Sequence, residues 1–157
     1  MKLNLGCGEQ KLEGYISVDL HNPAADVQAD MSKLPYEDET IDEIYASHII
    51  EHADYYQAKE WLTEWKRVLK TGGILILETP DFLESCKKFA LLPEDQQYTM
   101  YGHFFAKAHV PGEIHKFLYT KREIWGQLAS VGFSEIQFEE PTMHIQNPNI
   151  RVRCNKI

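Results

Sequence analysis

Apolar and polar positions along this chain fall into two alternating periods. Residues 2–5 (Lys-Leu-Asn-Leu) read as a short buried strand, and residues 15–19 as a second. Residues 26–29 make a brief third strand running to Asp30, and residues 41–47 a fourth. From residue 56 to 69 the period changes. Trp61, Leu62, Trp65, Val68 and Leu69 recur at helical spacing, which predicts an amphipathic helix. Thr71-Gly72-Gly73 is expected to end it, because glycine takes the left-handed conformation found just past helix ends. Ile74-Leu75-Ile76-Leu77 follows without a polar break, as in a strand covered on both faces. Strands alternating with helices imply a parallel sheet with crossover connections.

The stretch from 80 to 115 is less regular, with Pro93, Pro111, several aromatics and three histidines. It predicts a helix over residues 82–91 and then a long loop or lid. Thr120 is a candidate N-cap, and Glu123 three residues on completes a capping box. That helix should run to about Ser130 and stop at Gly132. Residues 133–139 alternate as a strand. Ile150, Val152 and Cys154 alternate in a last strand, which suits an antiparallel edge. No repeat or linker divides the chain.

The first strand runs into Gly6-Cys7-Gly8, and the second ends on Asp19. Glycines let a ligand approach the backbone, and a carboxylate at the next strand end can accept both hydroxyls of a ribose. The pair therefore points to a nucleotide-type pocket, although a glycine pair after a strand also occurs as a plain tight turn. Composition narrows the field. The net charge of -8 argues against a protein that grips nucleic acid by its own phosphate contacts. Three cysteines without CxxC spacing (Cys7, Cys86 and Cys154) argue against a disulfide framework or a structural zinc site. No apolar run reaches transmembrane length and no signal peptide is visible, so a cytoplasmic location is expected.

Four segments now stand in one order: 3–8, Val18-Asp19, Asp30 with Leu34-Pro35, and 41–52 followed by the helix and Leu69-Lys70-Thr71-Gly72-Gly73. In this order the chain resembles the class I S-adenosylmethionine-dependent methyltransferases, and within them the small methyltransferase-type-11-like group found with sugar- and polysaccharide-modifying enzymes. The resemblance is strongest over Leu34-Pro35-Tyr36 and Ile41-Asp42-Glu43-Ile44-Tyr45-Ala46-Ser47-His48-Ile49-Ile50-Glu51-His52. It implies a Rossmann-like, doubly wound α/β fold with a mostly parallel sheet, an antiparallel last strand and an abbreviated N-terminus. Residues 1–157 would form one methyltransferase domain, with 2–80 as its cofactor-binding half and 81–157 as the lid and substrate-facing half. Gly6, Cys7 and Gly8 would line the methionine part of S-adenosylmethionine. Asp19 would hold the ribose, and Leu20 would pack on the adenine. Asp30 would accept from the adenine amino group beside the Met31 backbone. Ser47 and His48 would lie near the sulfonium and the acceptor.

Methyl transfer needs few catalytic groups, because the sulfonium is already an activated donor and the protein mainly aligns the reactants. A hydroxyl acceptor gains from a general base, and histidine suits that near neutral pH. His48 is the first candidate and His115 the second. His52 is a third, but a histidine there also commonly just bonds a nearby carbonyl. His48 and His52 are four apart, yet the order His-Ile-Ile-Glu-His is not that of a zinc protease, and no metal is expected. Glu51 reads as a first-turn acid favourable to the helix dipole. His103 and His109 read as surface residues of the lid, and Trp61 and Trp65 as helix-packing residues.

Two features depart from the family pattern. Only residues 9–14 separate the glycine turn from the second strand, too few for a full crossover helix. A third glycine is absent too, since Lys11 stands in its place, which counts against a dinucleotide dehydrogenase. No helices precede the first strand, so the lid, a second copy or a partner subunit would have to cover the site. The favoured function is methyl transfer to oxygen or nitrogen of a small molecule, sugar or glycan. The alternatives are an RNA or protein methyltransferase, or a catalytically silent cofactor-binding partner subunit. Ser47-His48-Ile49 is neither the Asn/Asp-Pro-Pro-aromatic signature of nucleic-acid amino methyltransferases nor a Pro-Cys nucleophile.

Overall fold

The computed structural model describes residues 1–107, 110 and 112–157. Seven strands form one sheet: β1 (Lys2–Leu5), β2 (Ile16–Asp19), β3 (Val27–Gln28), β4 (Ile41–Ser47), β5 (Leu69–Pro80), β6 (Phe133–Glu139) and β7 (Asn149–Lys156). Their order is β3-β2-β1-β4-β5-β7-β6. The first five run parallel, and β7 lies antiparallel to both β5 and β6. This is a Rossmann-like α/β architecture with a mostly parallel sheet and an antiparallel last strand.

The two faces of the sheet differ. Paired positions on neighbouring strands share a face. The row Leu5, Ala46, Leu77 and Val152 is wholly buried. Helix α1 (Tyr55–Val68) packs Ala58, Leu62, Trp65 and Val68 into the same cluster, and α4 (Lys121–Val131) adds Ile124 and Leu128. Burying each such aliphatic side chain stabilises the fold by about 1.5–3 kcal/mol. The next row over, Asn4, Tyr45, Ile76 and Arg153, carries polar side chains on the other face.

Local signals set the helix ends. Asp54 caps α1, accepting from the amides of Tyr56 and Gln57, and Gln57 returns the bond. Thr120 and Glu123 form the expected capping box of α4, and Gly132 closes it at φ 91°. Helix α2 (Phe82–Leu91) starts on the Asp81 cap. The irregular stretch beyond it is more ordered than a loop. A 3₁₀ segment (Glu94–Met100) runs into the short α3 (Tyr101–Phe105).

Two expectations are corrected. The Gly72-Gly73 pair does not cap α1, which ends at Val68 and passes directly into β5. The glycines form an irregularity inside that strand. Pairing with β4 jumps from Ile41↔Leu69 to Glu43↔Ile74, Gly72 sits at φ 80°, and a Cβ at Gly73 would lie 2.8 Å from the Lys70 carbonyl. The last strand is not an edge either. β7 lies between β5 and β6, and β6 takes the rim with mostly exposed side chains. The connection from β1 to β2 contains no helix. It is a string of turns, tied by Gln10 N donating to the Cys7 carbonyl (2.8 Å) and by Asn4 Nδ2 donating to the Gln10 carbonyl (3.0 Å).

Candidate active site

Ligands of open parallel sheets bind beyond the carboxyl ends of the strands. A cavity of about 840 Å³ lies at the carboxyl ends of β1, β2 and β4, lined by residues of the glycine turn, Asp19, Leu20, Asp30, Met31, Ser47 and His48. Gly6 and Gly8 sit at φ 61° and 50°, and a Cβ at Gly6 would lie 2.5 Å from the Ile49 side chain. Asp19 binds this turn to its own loop. Its Oδ2 accepts from Gly8 N (2.9 Å), and its Oδ1 from His21 N (2.8 Å) and Asn22 N (2.9 Å). Partial burial pushes the Asp19 carboxyl up, but the amides of Asn22, His21 and Gly8 outweigh it and hold the group below the usual carboxylate range. Asp30 Oδ1 accepts from the Ser32 amide and hydroxyl, at 2.8 and 2.7 Å. Behind it the Met31 carbonyl accepts from the indole of Trp65 (3.0 Å).

Ser47 Oγ is buried and lacks a hydrogen-bond partner among the described residues, although it borders this cavity. A polar atom desolvated in that way is poised for a polar ligand. Together with a carboxylate at the second strand end and a glycine cradle, it makes a donor and acceptor set that fits a nucleoside with a polar tail.

The carboxyl end of β4 leads into a histidine cluster. His48 adopts φ 53°, which a β-substituted residue rarely takes, and its amide donates to the Glu78 carbonyl (2.9 Å). Glu51 stands in the first turn of a 3₁₀ segment (Ile50–His52), as expected, and is fully buried there. Its Oε1 meets His48 Nδ1 (3.0 Å), and its Oε2 accepts from Thr79 Oγ1 (3.1 Å). Burial pushes the Glu51 carboxyl up, yet the bond from His48 and the nearby imidazoles of His48, His115 and His52 bring it net below its usual value. The Glu51 carbonyl accepts from Lys116 N (2.8 Å), which draws His115 beneath the turn. His52 Nδ1 bonds the Ile114 carbonyl (3.2 Å).

A second cavity of about 500 Å³ is lined by Pro80, Gly102, His103, Ala106, Lys107, His115, Asn147 and four residues of the first: His48, His52, Glu113 and His144. The two cavities therefore share a wall. His144 is brought there by Glu78, another fully buried acid, which accepts from the Thr142 and Met143 amides at 3.0 and 3.1 Å and pairs with Arg151.

His103, expected on the surface, is half-buried in the second cavity and bonds Ser85 Oγ (2.9 Å). Burial first, and the neighbouring charge of His48 second, push its imidazole from 6.5 down to about 4. The unfolded chain takes up this proton below about pH 6.5 and the folded chain only near about 4. Stability is thus fully present above about pH 6.5 and is lost as pH falls toward about 4. The urea midpoint should fall across that interval, and His103→Gln should flatten the dependence. An unchanged slope in the variant would assign it to other groups.

Every cofactor-site residue inferred from sequence borders the first cavity, while His115 borders only the second. Trp61, expected only to pack, also reaches the first cavity. His109 lies outside the described residues. Sequence reasoning missed Asn22, Glu78, Met143 and His144. Of these only Asn22, in the polar run after Asp19, carries a local signal.

A family model described as a methyltransferase domain matches residues 3–77. No curated protein matches the chain. Among solved structures, a methyltransferase from Archaeoglobus fulgidus is 16% identical with a TM-score of 0.69, covering 99% of this chain and 85% of that one. A possible histamine N-methyltransferase from Thermotoga maritima is 18% identical with a TM-score of 0.64, over 99% and 82%. The CurJ carbon methyltransferase is 14% identical with a TM-score of 0.62, over 99% and 48%. These structures speak for the fold, while the matched domain spans the strands and turns that build the first cavity. Residues 3–77 match the methyltransferase-domain family, and the fold is that of S-adenosylmethionine-dependent methyltransferases of known structure.

Proposed function

We propose that this enzyme methylates an oxygen or nitrogen of a small molecule, sugar or glycan held in the second cavity. The observation that carries this is the wall of His48, His52, Glu113 and His144 shared by the two cavities. A bound S-adenosylmethionine supplies an electrophilic methyl group on a sulfonium. Everything else falls to the chain. Gly6, Cys7 and Gly8 would leave room for the methionine part, Asp19 would accept from the ribose, and Leu20 would cover the adenine. Asp30 keeps one carboxylate oxygen free for the adenine amino group beside Met31, because Ser32 occupies only the other.

His48 acts as the base for a hydroxyl acceptor. With Nδ1 donating to Glu51, its Nε2 carries the lone pair, and that atom is buried without a partner among the described residues. As the acceptor oxygen took the methyl group from the sulfonium, which would leave as a neutral thioether, His48 Nε2 would take the hydroxyl proton. Methyl release from labelled cofactor tests this against panels of sugars, alcohols and amines. Transfer to members of those panels is expected. Transfer confined to RNA or protein, or none with any acceptor, would overturn it.

Asp19→Ala should weaken S-adenosylhomocysteine binding at least about tenfold, since a hydrogen bond to a charged group contributes about 1.5–3 kcal/mol. Calorimetry reads this, and unchanged affinity would show the ribose held elsewhere. The exposed Tyr98, Tyr101 and Phe105 support self-association of the chain as cover for the site. Light scattering at micromolar concentration should give a mass above the monomer, and a clean monomer refutes it.

A further inference from the structure

We propose that Glu51, His52 and His115 form a mononuclear site for a divalent transition-metal ion under the wall between the two cavities. One ligand atom from each lies within 4.8 Å of the others, so modest side-chain rotations bring all three to coordination distance. They come from two separate segments, the turn after β4 and the strap that Lys116 N ties to the Glu51 carbonyl. The strap therefore holds its histidine against the turn before any ion arrives.

The hydrogen-bond accounting of these groups is incomplete without an ion. His115 Nδ1 is buried and unpartnered among the described residues, in a side chain only 7% exposed. Its Nε2 stands 3.9 Å from Glu51 Oε1, beyond hydrogen-bond length. His52 is oriented as metal-binding histidines are. Its Nδ1 hydrogen goes to the Ile114 carbonyl, leaving Nε2 as the lone-pair atom. Glu51 can serve His48, Thr79 and an ion together, since a carboxylate has about four acceptor positions.

Two imidazoles and one carboxylate suit zinc, cobalt or iron better than magnesium or calcium. Three protein ligands leave a coordination position open, the pattern of catalytic rather than structural sites. His52 and His115 border the second cavity, so an open coordination position there would be reachable by an acceptor. There the ion would bind the acceptor hydroxyl and lower its pKa, the proton passing to His48 as above. This second half rests on the hydroxyl-acceptor reading, and the ion site itself does not.

The test uses the tag-free full chain, stripped with chelator and titrated with zinc chloride by calorimetry, with cobalt absorption as a second readout. One saturating ion per chain is expected, with visible cobalt bands. His52→Ala and His115→Ala should each weaken zinc binding at least tenfold and abolish the bands. Circular dichroism and the urea midpoint check that each variant keeps its fold. His52→Ala, the more exposed position, keeps the test open should His115→Ala fail to fold. Absence of saturable one-to-one binding, or equal affinity in the folded variants, overturns the site. Zinc binding without any transfer to hydroxyl acceptors would instead leave the site standing and remove the acceptor reading.

Discussion

Replacing His48 with alanine is expected to lower turnover by about 10²–10⁴-fold, the usual cost of losing a general base. Cofactor affinity should change far less. The reason lies in how the ring is held. The Glu51 carboxylate is buried beneath His48 and takes its Nδ1 hydrogen, so the other nitrogen is a fixed acceptor in the wall that both cavities share. Alanine also has to adopt the φ of 53° at this position, which costs stability. His48→Asn is therefore the second variant, because asparagine tolerates the left-handed region while removing the base. Turnover should collapse in both variants, measured with an acceptor from the hydroxyl panel at saturating cofactor. Near-full turnover in the well-folded Asn variant would leave alignment alone as the catalytic device.

Trp65→Ala should cost about 3–5 kcal/mol of stability, the range for deleting a large buried aromatic. Trp65 is fully buried in the cluster between α1 and the sheet and stacks near Trp61, with ring centroids 6.3 Å apart. Its indole also holds the Met31 carbonyl. Removing it leaves a cavity and frees the Met31 segment that lines the first cavity. Urea unfolding should show the loss, and S-adenosylhomocysteine affinity should fall with it. A loss under about 1 kcal/mol would mean that the core refills the space.

Where the chain signals its structure locally, the sequence was enough. Ile41–Ser47 and Phe82–Leu91 fall where the patterning puts them, and α4 starts at the Thr120 cap, because periodicity and capping are properties of neighbours in the chain. The first cavity was legible for a related reason, since Gly6, Gly8 and Asp19 act through the turn they build. Non-local facts were not legible. A glycine pair after a helix serves equally as a cap or a strand irregularity, and only the register with β4 decides. The interior place of β7 follows from the order of the sheet, which no single strand encodes. Glu51 reads as a helix-end acid until Thr79, His48 and the strap bearing His115 close over it. Positions 48, 52, 103, 115 and 144 meet only in the folded chain, so the histidine cluster could not be read beyond its first pair.

Cofactor bound in the first cavity should present its methyl group to the shared histidine wall. A crystal structure of the complex with S-adenosylhomocysteine tests it most directly. The ribose hydroxyls are expected on the Asp19 carboxylate, and the sulfur is expected to face His48, His52, Glu113 and His144. A ligand whose ribose avoids Asp19, or whose sulfur faces away from that wall, would contradict it.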